Sequence, residues 1–306
     1  MKWQKKGFLC SSDTFSLPWY KKNTMTPLPY LYDDNVLRIY LTMCDEKNQG
    51  RVGYIDLNPD NPSEILDYSR QPVLDLGAPG TFDENGVLPT CLVKEDNTLW
   101  LHYSGYQKRT DIPYTIYSGL AASNDNGNSF TRVRNTPVLG DIPNERHQRS
   151  AAEVMKKDGH YKLWYTANIG WINNGVHLAP KYDIKYLESA KQDEWPAQPR
   201  LSLPLNGDEY GLTMPQVFFE DGIYKMFYSI RSISKGYRLG YAESYDGITF
   251  RRLDSKMEID VSASGFDSEM ICFGKIIKQK EKTYLFYCGN HYGIGGLGYA
   301  ELAEEK

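Results

Sequence analysis

Short apolar runs that each end in a tyrosine recur along the whole chain at nearly constant spacing. They are LRIY, LWLHY, YKLWY, YKMFY and TYLFY, and they end at Tyr40, Tyr103, Tyr165, Tyr228 and Tyr287. The spacings between these tyrosines are 63, 62, 63 and 59 residues. A polar turn such as Asp158-Gly159 precedes each run, which is typical of a β-hairpin. Because a fixed period of this length marks a repeated structural unit, the pattern predicts five units of ~60 residues.

Each unit has room for four strands, because one strand-like segment precedes the tyrosine run and further segments follow it. The third segments are GYIDL, GLAAS, KYLES, GYAES and GYAEL, and fourth segments begin at Phe130, Trp195 and Phe250 and cover residues 69–74 in the first unit. Four-stranded units repeated radially form a β-propeller, whose sheet edges are protected. We therefore predict an all-β, five-bladed β-propeller of four-stranded blades that occupies residues 1–306 as one domain. A β-sandwich with accidental spacing is the alternative.

The fifth unit lacks a fourth strand, because only a few polar residues follow its third strand at Leu302. Residues 3–9 at the other end of the chain have the same aromatic-then-basic opening as the fourth segments that start at Phe130 and Phe250. We predict that this N-terminal strand completes the last blade and closes it.

Composition excludes several classes of function. The net charge of −4 is too mild for a nucleic-acid-binding protein, which carries a clustered basic excess. No apolar run approaches the ~18 residues of a membrane span, and the apolar stretch near the N-terminus is too short for a signal peptide. The five cysteines are odd in number and contain no C-x-x-C pair, so neither a disulfide framework nor a zinc site is indicated. We expect a cytoplasmic protein, and the sequence does not determine its oligomeric state.

Several stretches resemble the five-bladed β-propeller glycoside hydrolase superfamily, the arabinanase, invertase and levansucrase group, and within it family-43-like and family-130 proteins. They are GTFDENGVLP at 80–89, YGLTMPQVFFEDGIYKMFYS at 210–229, FDSEMICFGKII at 266–277 and YCGNHYGIGGLGYA at 287–300. The resemblance extends over nearly the whole chain. It implies a carbohydrate substrate and no organic cofactor, and it allows a structural calcium or sodium ion in the central channel.

Acidic residues stand 12 or 13 positions before the hairpin turn in four of the five units. Glycoside hydrolysis needs two carboxyl groups on opposite sides of the scissile bond, and crowding raises the pKa of one of them. The predicted catalytic residues are therefore Asp83, Glu84, Glu209 and Asp267. We prefer Glu84 as the proton donor and Asp267 as the base or nucleophile. The alternative is that these acids cap turns in the loops that lead into the strands.

Cations and aromatic side chains near the predicted channel mouth are candidates for contact with a sugar. Trp171 lies in a long predicted loop, residues 168–174, and loops of this kind commonly carry function. The predicted substrate-binding residues are Tyr103, His147, Arg149, Glu153, Trp171, Arg231, Glu269 and His291.

The resemblance leaves one gap, because family-43 enzymes carry an acid near the start of each of the first three inner strands. The second and third of these places hold Leu88 and Ser150, and no acid occurs near the first, at Pro27. Glu153 follows Ser150 by three residues and is the replacement if the alignment is shifted. Three functions remain open: a glycoside hydrolase or transglycosidase, a non-catalytic glycan-binding protein of polysaccharide or glycolipid assembly, and a phosphorylase whose phosphate contacts Arg146, Arg149 and Arg231.

Overall fold

The computed structural model describes residues 1–303, which form twenty β-strands and three short helical turns. The helical turns are Ser12–Thr14, Asp254–Lys256 and Asn290–Gly293. No helix in this part of the chain is long and apolar enough to cross a membrane. Consecutive strands that are joined by short turns pair in antiparallel fashion, as the polar turns between apolar runs predict.

The pairing divides the strands into groups of four. The first group is β2 (Thr24–Asp33), β3 (Val36–Cys44), β4 (Gly50–Asn58) and β5 (Asn61–Tyr68). The second is β6 (Gly86–Glu95), β7 (Thr98–Lys108), β8 (Tyr114–Ser123) and β9 (Thr131–Arg132). The predicted fourth strand of the first unit, residues 69–74, is wrong: only Leu74 forms a bridge there, to Val52, and β5 precedes it.

The next two groups repeat this order. The third is β10 (Gln148–Lys157), β11 (His160–Asn173), β12 (Leu178–Ser189) and β13 (Arg200–Leu203). The fourth is β14 (Glu209–Glu220), β15 (Ile223–Ser232), β16 (Gly236–Ser244) and β17 (Arg251–Arg252). The fourth strands β9 and β17 are only two residues long, far shorter than the sequence predicts.

The last group joins the two ends of the described chain. It consists of β18 (Cys272–Gln279), β19 (Lys282–Cys288), β20 (Leu297–Leu302) and the N-terminal strand β1 (Trp3–Cys10). Strand β1 is antiparallel to β20, with Trp3 opposite Leu302 and Phe8 opposite Gly298. The predicted pairing of the N-terminal segment with the last unit is therefore confirmed.

The first strands of the groups lie next to one another in a cyclic order. Strand β2 contacts β6, β6 contacts β10, β10 contacts β14, β14 contacts β18, and β18 contacts β2 again. Parallel bridges also link the first four groups, for example Gly50 with Gly86 and Tyr182 with Gly211. A cycle of neighbouring strands leaves a central space between them, and the functional site is to be sought there.

Each first strand contains a β-bulge at an equivalent place. The register shifts lie between Met25 and Leu28, Pro89 and Cys91, Ser150 and Glu153, Thr213 and Gln216, and Cys272 and Lys275. Four of the bulges hold a non-glycine residue in the left-handed region: Thr26, Ala151, Met214 and Phe273, at φ 50° to 56°. A bulge bends its strand and redirects the side chains on either side of it. The two sides of these bulges therefore face different surroundings.

The five repeated tyrosines are buried, at 0% to 1% exposure, between neighbouring groups. They pack in apolar clusters such as the one formed by Leu28, Tyr40, Val87 and Tyr103. A buried phenol needs a hydrogen-bond partner, and every one of these hydroxyls donates to an oxygen atom: to a carboxylate in four groups and to the Gly127 carbonyl in the first.

Candidate functional site

A cavity of about 600 Å³ lies on one side of the bulges, at the centre of the cycle of first strands. Bulge residues from all five first strands form part of its wall: Met25, Thr26, Leu88, Ser150, Ala151, Thr213, Met214 and Phe273. A concave space of this size, lined by aromatic and polar side chains, is typical of a small-molecule site. A second cavity, beside Phe15 and Tyr68, is smaller, at about 270 Å³.

Hydrogen bonds from the backbone amides of two bulges to serine side chains fix the conformation of these bulges beside the cavity. The amide of Ala151 donates to Ser104 Oγ at 2.9 Å, and the amide of Phe273 donates to Ser229 Oγ at 2.8 Å. Left-handed backbone at a non-glycine residue costs of order 1 kcal/mol or more, and it persists where the surroundings fix it. The wall of the cavity is therefore preorganised by neighbouring second strands.

Tyrosines and amides dominate the deeper wall of the cavity. Tyr106, Tyr114, Tyr182, Tyr237 and Tyr292 line it, and Tyr182 and Tyr237 join their hydroxyls at 2.7 Å. Burial raises the pKa of Tyr106 and of Tyr292, so their hydroxyls stay protonated at neutral pH and can donate hydrogen bonds.

Two amide oxygens in the wall have no hydrogen-bond partner among the described residues. They are Asn23 Oδ1 and Gln148 Oε1, both buried. The Asn23 amide is fixed at its other end, where Nδ2 donates to the carbonyls of His291 at 3.1 Å and Tyr292 at 3.0 Å. A buried acceptor without a partner is unfavourable, so each of these oxygens has unused hydrogen-bonding capacity at the cavity wall.

The charged residues of the wall all carry positive charge. Lys47 and Lys108 are at its rim with His177, and Arg231 lies deep, at 8% exposure. In the part of the chain that the structure describes, no aspartate or glutamate lines the cavity. Leu88 and Ser150, which the sequence alignment sets at the places of two family-43 acids, both line the cavity.

The opposite side of the bulges is closed by a buried ion pair. Lys275 Nζ lies 2.8 Å from Glu153 Oε2, and Glu153 Oε1 accepts from the Val217 amide at 3.2 Å. Burial raises the pKa of Glu153, and Lys275 opposes that effect. The ammonium of Lys275 thus neutralises the carboxylate of Glu153 on this side of the bulges. No group of three potential metal-ligating side chains occurs within residues 1–303.

Asp83 and Asp267, two of the predicted catalytic residues, lie outside the cavity in matching buried clusters. Asp83 Oδ2 accepts from Tyr103 Oη at 3.0 Å and from Arg132 Nε at 2.7 Å. Asp267 Oδ2 accepts from Tyr287 Oη at 2.9 Å and from Lys5 Nζ at 2.6 Å. Each carboxylate thus joins the repeated tyrosine of its own group to a cation of that group's outermost strand.

The third and fourth groups vary this arrangement. Glu145 Oε2 accepts from Tyr165 Oη at 2.6 Å and from Arg149 Nε at 2.8 Å. Glu209, another predicted catalytic residue, forms a two-pronged pair with Arg252 at 2.6 and 2.7 Å. We call the Tyr103, Tyr165 and Tyr287 sets the tyrosine clusters. Their acids are bound to the fold's own cations and hydroxyls.

Glu84, the predicted proton donor, holds a loop in place. Its Oε2 accepts from the Gly80 amide at 2.7 Å, and its Oε1 accepts from Gln107 Nε2 at 2.9 Å. These hydrogen bonds hold the pKa of Glu84 below its usual value. A proton donor at neutral pH needs a raised pKa, whereas the surroundings of Glu84 favour the ionised carboxylate, which has no proton to donate. None of the four predicted catalytic carboxylates lines the cavity, and their predicted convergence on one pocket is not observed.

The predicted substrate-binding residues are spread over several places. Arg231 alone among them lines the cavity. Tyr103 and Arg149 belong to the tyrosine clusters, Glu153 to the buried ion pair, and Glu269 and His291 form an exposed pair at 3.4 Å.

Trp171 lies in a strand, so the predicted loop at residues 168–174 is wrong. Strand β11 continues to Asn173, and Trp171 pairs with Pro180 of β12. Its ring lies 6.1 Å from that of His147, outside the cavity. The far end of the same hairpin supplies His177 and Leu178 to the cavity wall. The long insertion thus does reach the site, but through other residues than the tryptophan.

Sequence reasoning missed most of the cavity wall because it examined the residues just before each first strand. The wall is built from the bulges within those strands and from the second and third strands beside them. The sequence does contain one signal for the bulges. Ser104 and Ser229 each directly follow a repeated tyrosine, and each accepts a hydrogen bond from a bulge amide.

Two mycobacterial proteins are similar in sequence to this chain over nearly its whole length. Rv1502, an uncharacterized protein of Mycobacterium tuberculosis strain H37Rv, is 30% identical over 303 residues, 99% of each chain. MT1551 of strain CDC 1551, also uncharacterized, matches with the same identity and coverage. No protein-family model matches the chain.

Solved structures with the same fold are glycoside hydrolases. A thermostable family-43 glycoside hydrolase matches with a TM-score of 0.70 and 17% identity, over 95% of this chain and 94% of that one. The Bombyx mori GH32 beta-fructofuranosidase BmSUC1 matches with a TM-score of 0.62 and 18% identity, over 92% and 62%. A glycosyl hydrolase from Bacteroides ovatus gives a TM-score of 0.71 and 15% identity, over 98% and 89%. At these identities the similarity establishes the fold alone.

Proposed function

We propose that this chain, which belongs to the same family as the mycobacterial protein Rv1502, is a carbohydrate-binding protein whose ligand occupies the central cavity. Its architecture is a five-bladed β-propeller, with the five groups of strands as blades. The cyclic contacts of β2, β6, β10, β14 and β18 support five blades around one axis. In such a propeller the mouth of the central channel is the place for a ligand.

The observation that carries the proposal is the chemistry of the cavity wall. Hydrolysis of a glycosidic bond uses a carboxylic acid and a carboxylate on opposite sides of that bond. Within residues 1–303 no carboxylate lines the cavity, and the places of the family-43 acids hold Leu88 and Ser150. A phosphorylase also needs a group that protonates the leaving oxygen, which this wall does not supply as a carboxylic acid. Binding without cleavage is the function that this wall supports best.

The remaining wall fits a sugar. The faces of Tyr106 and Tyr292 offer surfaces against which the C–H groups of a sugar ring can pack. Asn23 Oδ1 and Gln148 Oε1 are free acceptors, and the tyrosine hydroxyls are donors. A small number of fixed polar groups in an aromatic wall gives orientation and specificity.

The test compares binding with cleavage in one protein. A glycan array identifies ligands, calorimetry measures their affinity, and chromatography of the same mixtures detects products. We expect binding without turnover. Leu88→Trp, which places a larger ring in the cavity wall, should weaken binding, whereas Leu201→Trp on an exposed outer strand should not. Catalytic turnover that Asp267→Asn or Glu209→Gln abolishes in a folded protein would overturn the proposal and restore the glycosidase.

A further inference from the structure

Arg231 differs from every other buried cation of the described chain. Four cationic side chains are buried there: Arg38, Arg149, Arg231 and Lys275. Three have a carboxylate at 2.7 to 2.8 Å, namely Asp56, Glu145 and Glu153. Arg231 has no carboxylate within 4.0 Å anywhere in residues 1–303. A buried charge without a counter-charge is costly, so this position is not explained by stability.

The surroundings of Arg231 hold its guanidinium in place without neutralising it. The group lies 4.7 Å from the centre of the Tyr210 ring and 5.4 Å from that of Tyr237. Cation–π contacts of this kind offset part of the desolvation cost and keep the charge. Nη2 donates to Tyr292 Oη at 2.9 Å, and the other guanidinium nitrogens donate no hydrogen bond to the described residues. The planar guanidinium of Arg231 is therefore fixed and charged, and its remaining nitrogens can donate hydrogen bonds to a ligand in the cavity.

The rest of the cavity adds to this positive charge. Lys47 and Lys108 stand at the rim, while the protein as a whole carries a net charge of −4. A concave wall of one sign concentrates the electric field and attracts ligands of the opposite sign. The cavity is thus a local positive region in an acidic protein, and its deepest charge is the unpaired guanidinium.

We infer that the cavity takes a negatively charged sugar and that Arg231 binds its anionic group. A guanidinium donates two parallel hydrogen bonds to a carboxylate or a phosphate, which share this geometry and charge. The ligand class is therefore a uronic acid or another acidic sugar, or a sugar phosphate. Tyr292 orients the guanidinium, and the free oxygens of Asn23 and Gln148 accept from the sugar's hydroxyls. This inference rests on the proposed function and names its substrate class.

The experiment uses an array of neutral, uronate-bearing and phosphate-bearing glycans, with calorimetry on the glycans that bind. We expect binding to be confined to anionic glycans and to weaken with added salt. Carboxyl-reduced and phosphatase-treated copies of the array distinguish the two anionic groups. Arg231→Met, which keeps the aliphatic stem, should weaken binding by about tenfold or more. Arg231→Lys should weaken it less, because it keeps the charge and loses the fork.

Two further variants keep the test decisive. Arg200→Met removes an exposed arginine outside the cavity and should leave affinity unchanged. Lys108→Met at the rim should weaken anion binding by a smaller factor even if Arg231→Met does not fold. Equal binding of neutral and anionic glycans, unaffected at Arg231 and Lys108, would overturn this inference and leave the proposed function standing. Failure to bind any glycan would overturn both.

Discussion

The tyrosine clusters and the central cavity use charge in opposite ways. In the clusters a buried carboxylate always meets a cation, as Asp83 meets Arg132 and Asp267 meets Lys5. In the cavity Arg231 stands without a carboxylate. The clusters recur from group to group, whereas Arg231 has no buried, unpaired counterpart among the other described residues. The repeated charges are bound within the fold, whereas the guanidinium that breaks the repeat is the one that we propose as a ligand contact.

The largest effect is expected from breaking a tyrosine cluster. Asp83→Ala leaves Arg132, Tyr103 and Thr81 without their shared acceptor, which should lower the free energy of unfolding by about 3 to 5 kcal/mol. Chemical denaturation measures it. Asp75→Ala, at an exposed ion pair with Arg51, should cost less than about 1 kcal/mol. An Asp83 variant that is fully stable yet loses an enzymatic activity would instead make this acid catalytic.

A double-mutant cycle on the ion pair beneath the cavity comes next. Glu153→Gln strands the ammonium of Lys275, and Lys275→Met strands the carboxylate, so each should destabilise by about 3 kcal/mol. The double variant should recover part of this loss, because no unpaired charge remains. Additive losses in thermal or denaturant unfolding would show that the two groups act separately.

Asp183 supplies a pH-dependent test beside a tyrosine cluster. Burial raises its pKa to about 6, against the attraction of Lys185, and its Oδ1 has no hydrogen-bond partner in the described chain. The unfolded carboxyl loses its proton near pH 4 and the folded one near pH 6, so stability falls as pH rises between these values.

Asp183→Asn should therefore be more stable than the wild-type protein above pH 6, by about 3 kcal/mol at 1.36 kcal/mol per pH unit, and the gain should vanish below pH 4. Denaturant unfolding at pH 4, 5, 6 and 7 measures the difference. Asp221→Asn, at an exposed turn residue, is the control and should show no such trend. A gain that is independent of pH would mean that Asp183 is not titrating.

The smallest effect on stability is expected in the cavity itself. Arg231→Gln removes an unpaired buried charge and strands no carboxylate, so the free energy of unfolding should stay the same or rise by less than about 1 kcal/mol. Arg149→Gln is the matched comparison, since it removes one of the two cations that pair with the buried Glu145 and should cost about 2 kcal/mol while Lys185 stays in place. Equal losses at the two arginines would contradict the distinction between clusters and cavity.

The strands could be predicted because their signal is local. The tyrosine runs and the polar turns before them lie within a few residues of one another, and the pairing of residues 3–9 followed from a missing fourth strand. The length of the fourth strands could not be predicted, since two-residue strands such as β9 and β17 carry no periodicity.

The role of the acids could not be read from their position alone. A carboxylate ahead of a strand looks the same in sequence whether it faces a channel or a tyrosine of its own group. The position of the pairing cation determines whether the carboxylate is bound within the fold. For Asp267 that cation is Lys5, which is distant in sequence. The charge of Arg231 is visible in the sequence, but that it alone of the buried cations in residues 1–303 lacks a carboxylate is a property of three-dimensional neighbours.

The pairing of β1 with β20 has a consequence for biosynthesis. The ribosome makes Trp3 almost 300 residues before its partner Leu302. Until β20 emerges, β1 has no edge to join, and Lys5 has no Asp267 cluster to complete. The nascent chain therefore holds an unpaired β1 until β20 has left the ribosome, and the last group can assemble only then. Contacts of such long sequence separation slow folding, so we expect this pairing to form late.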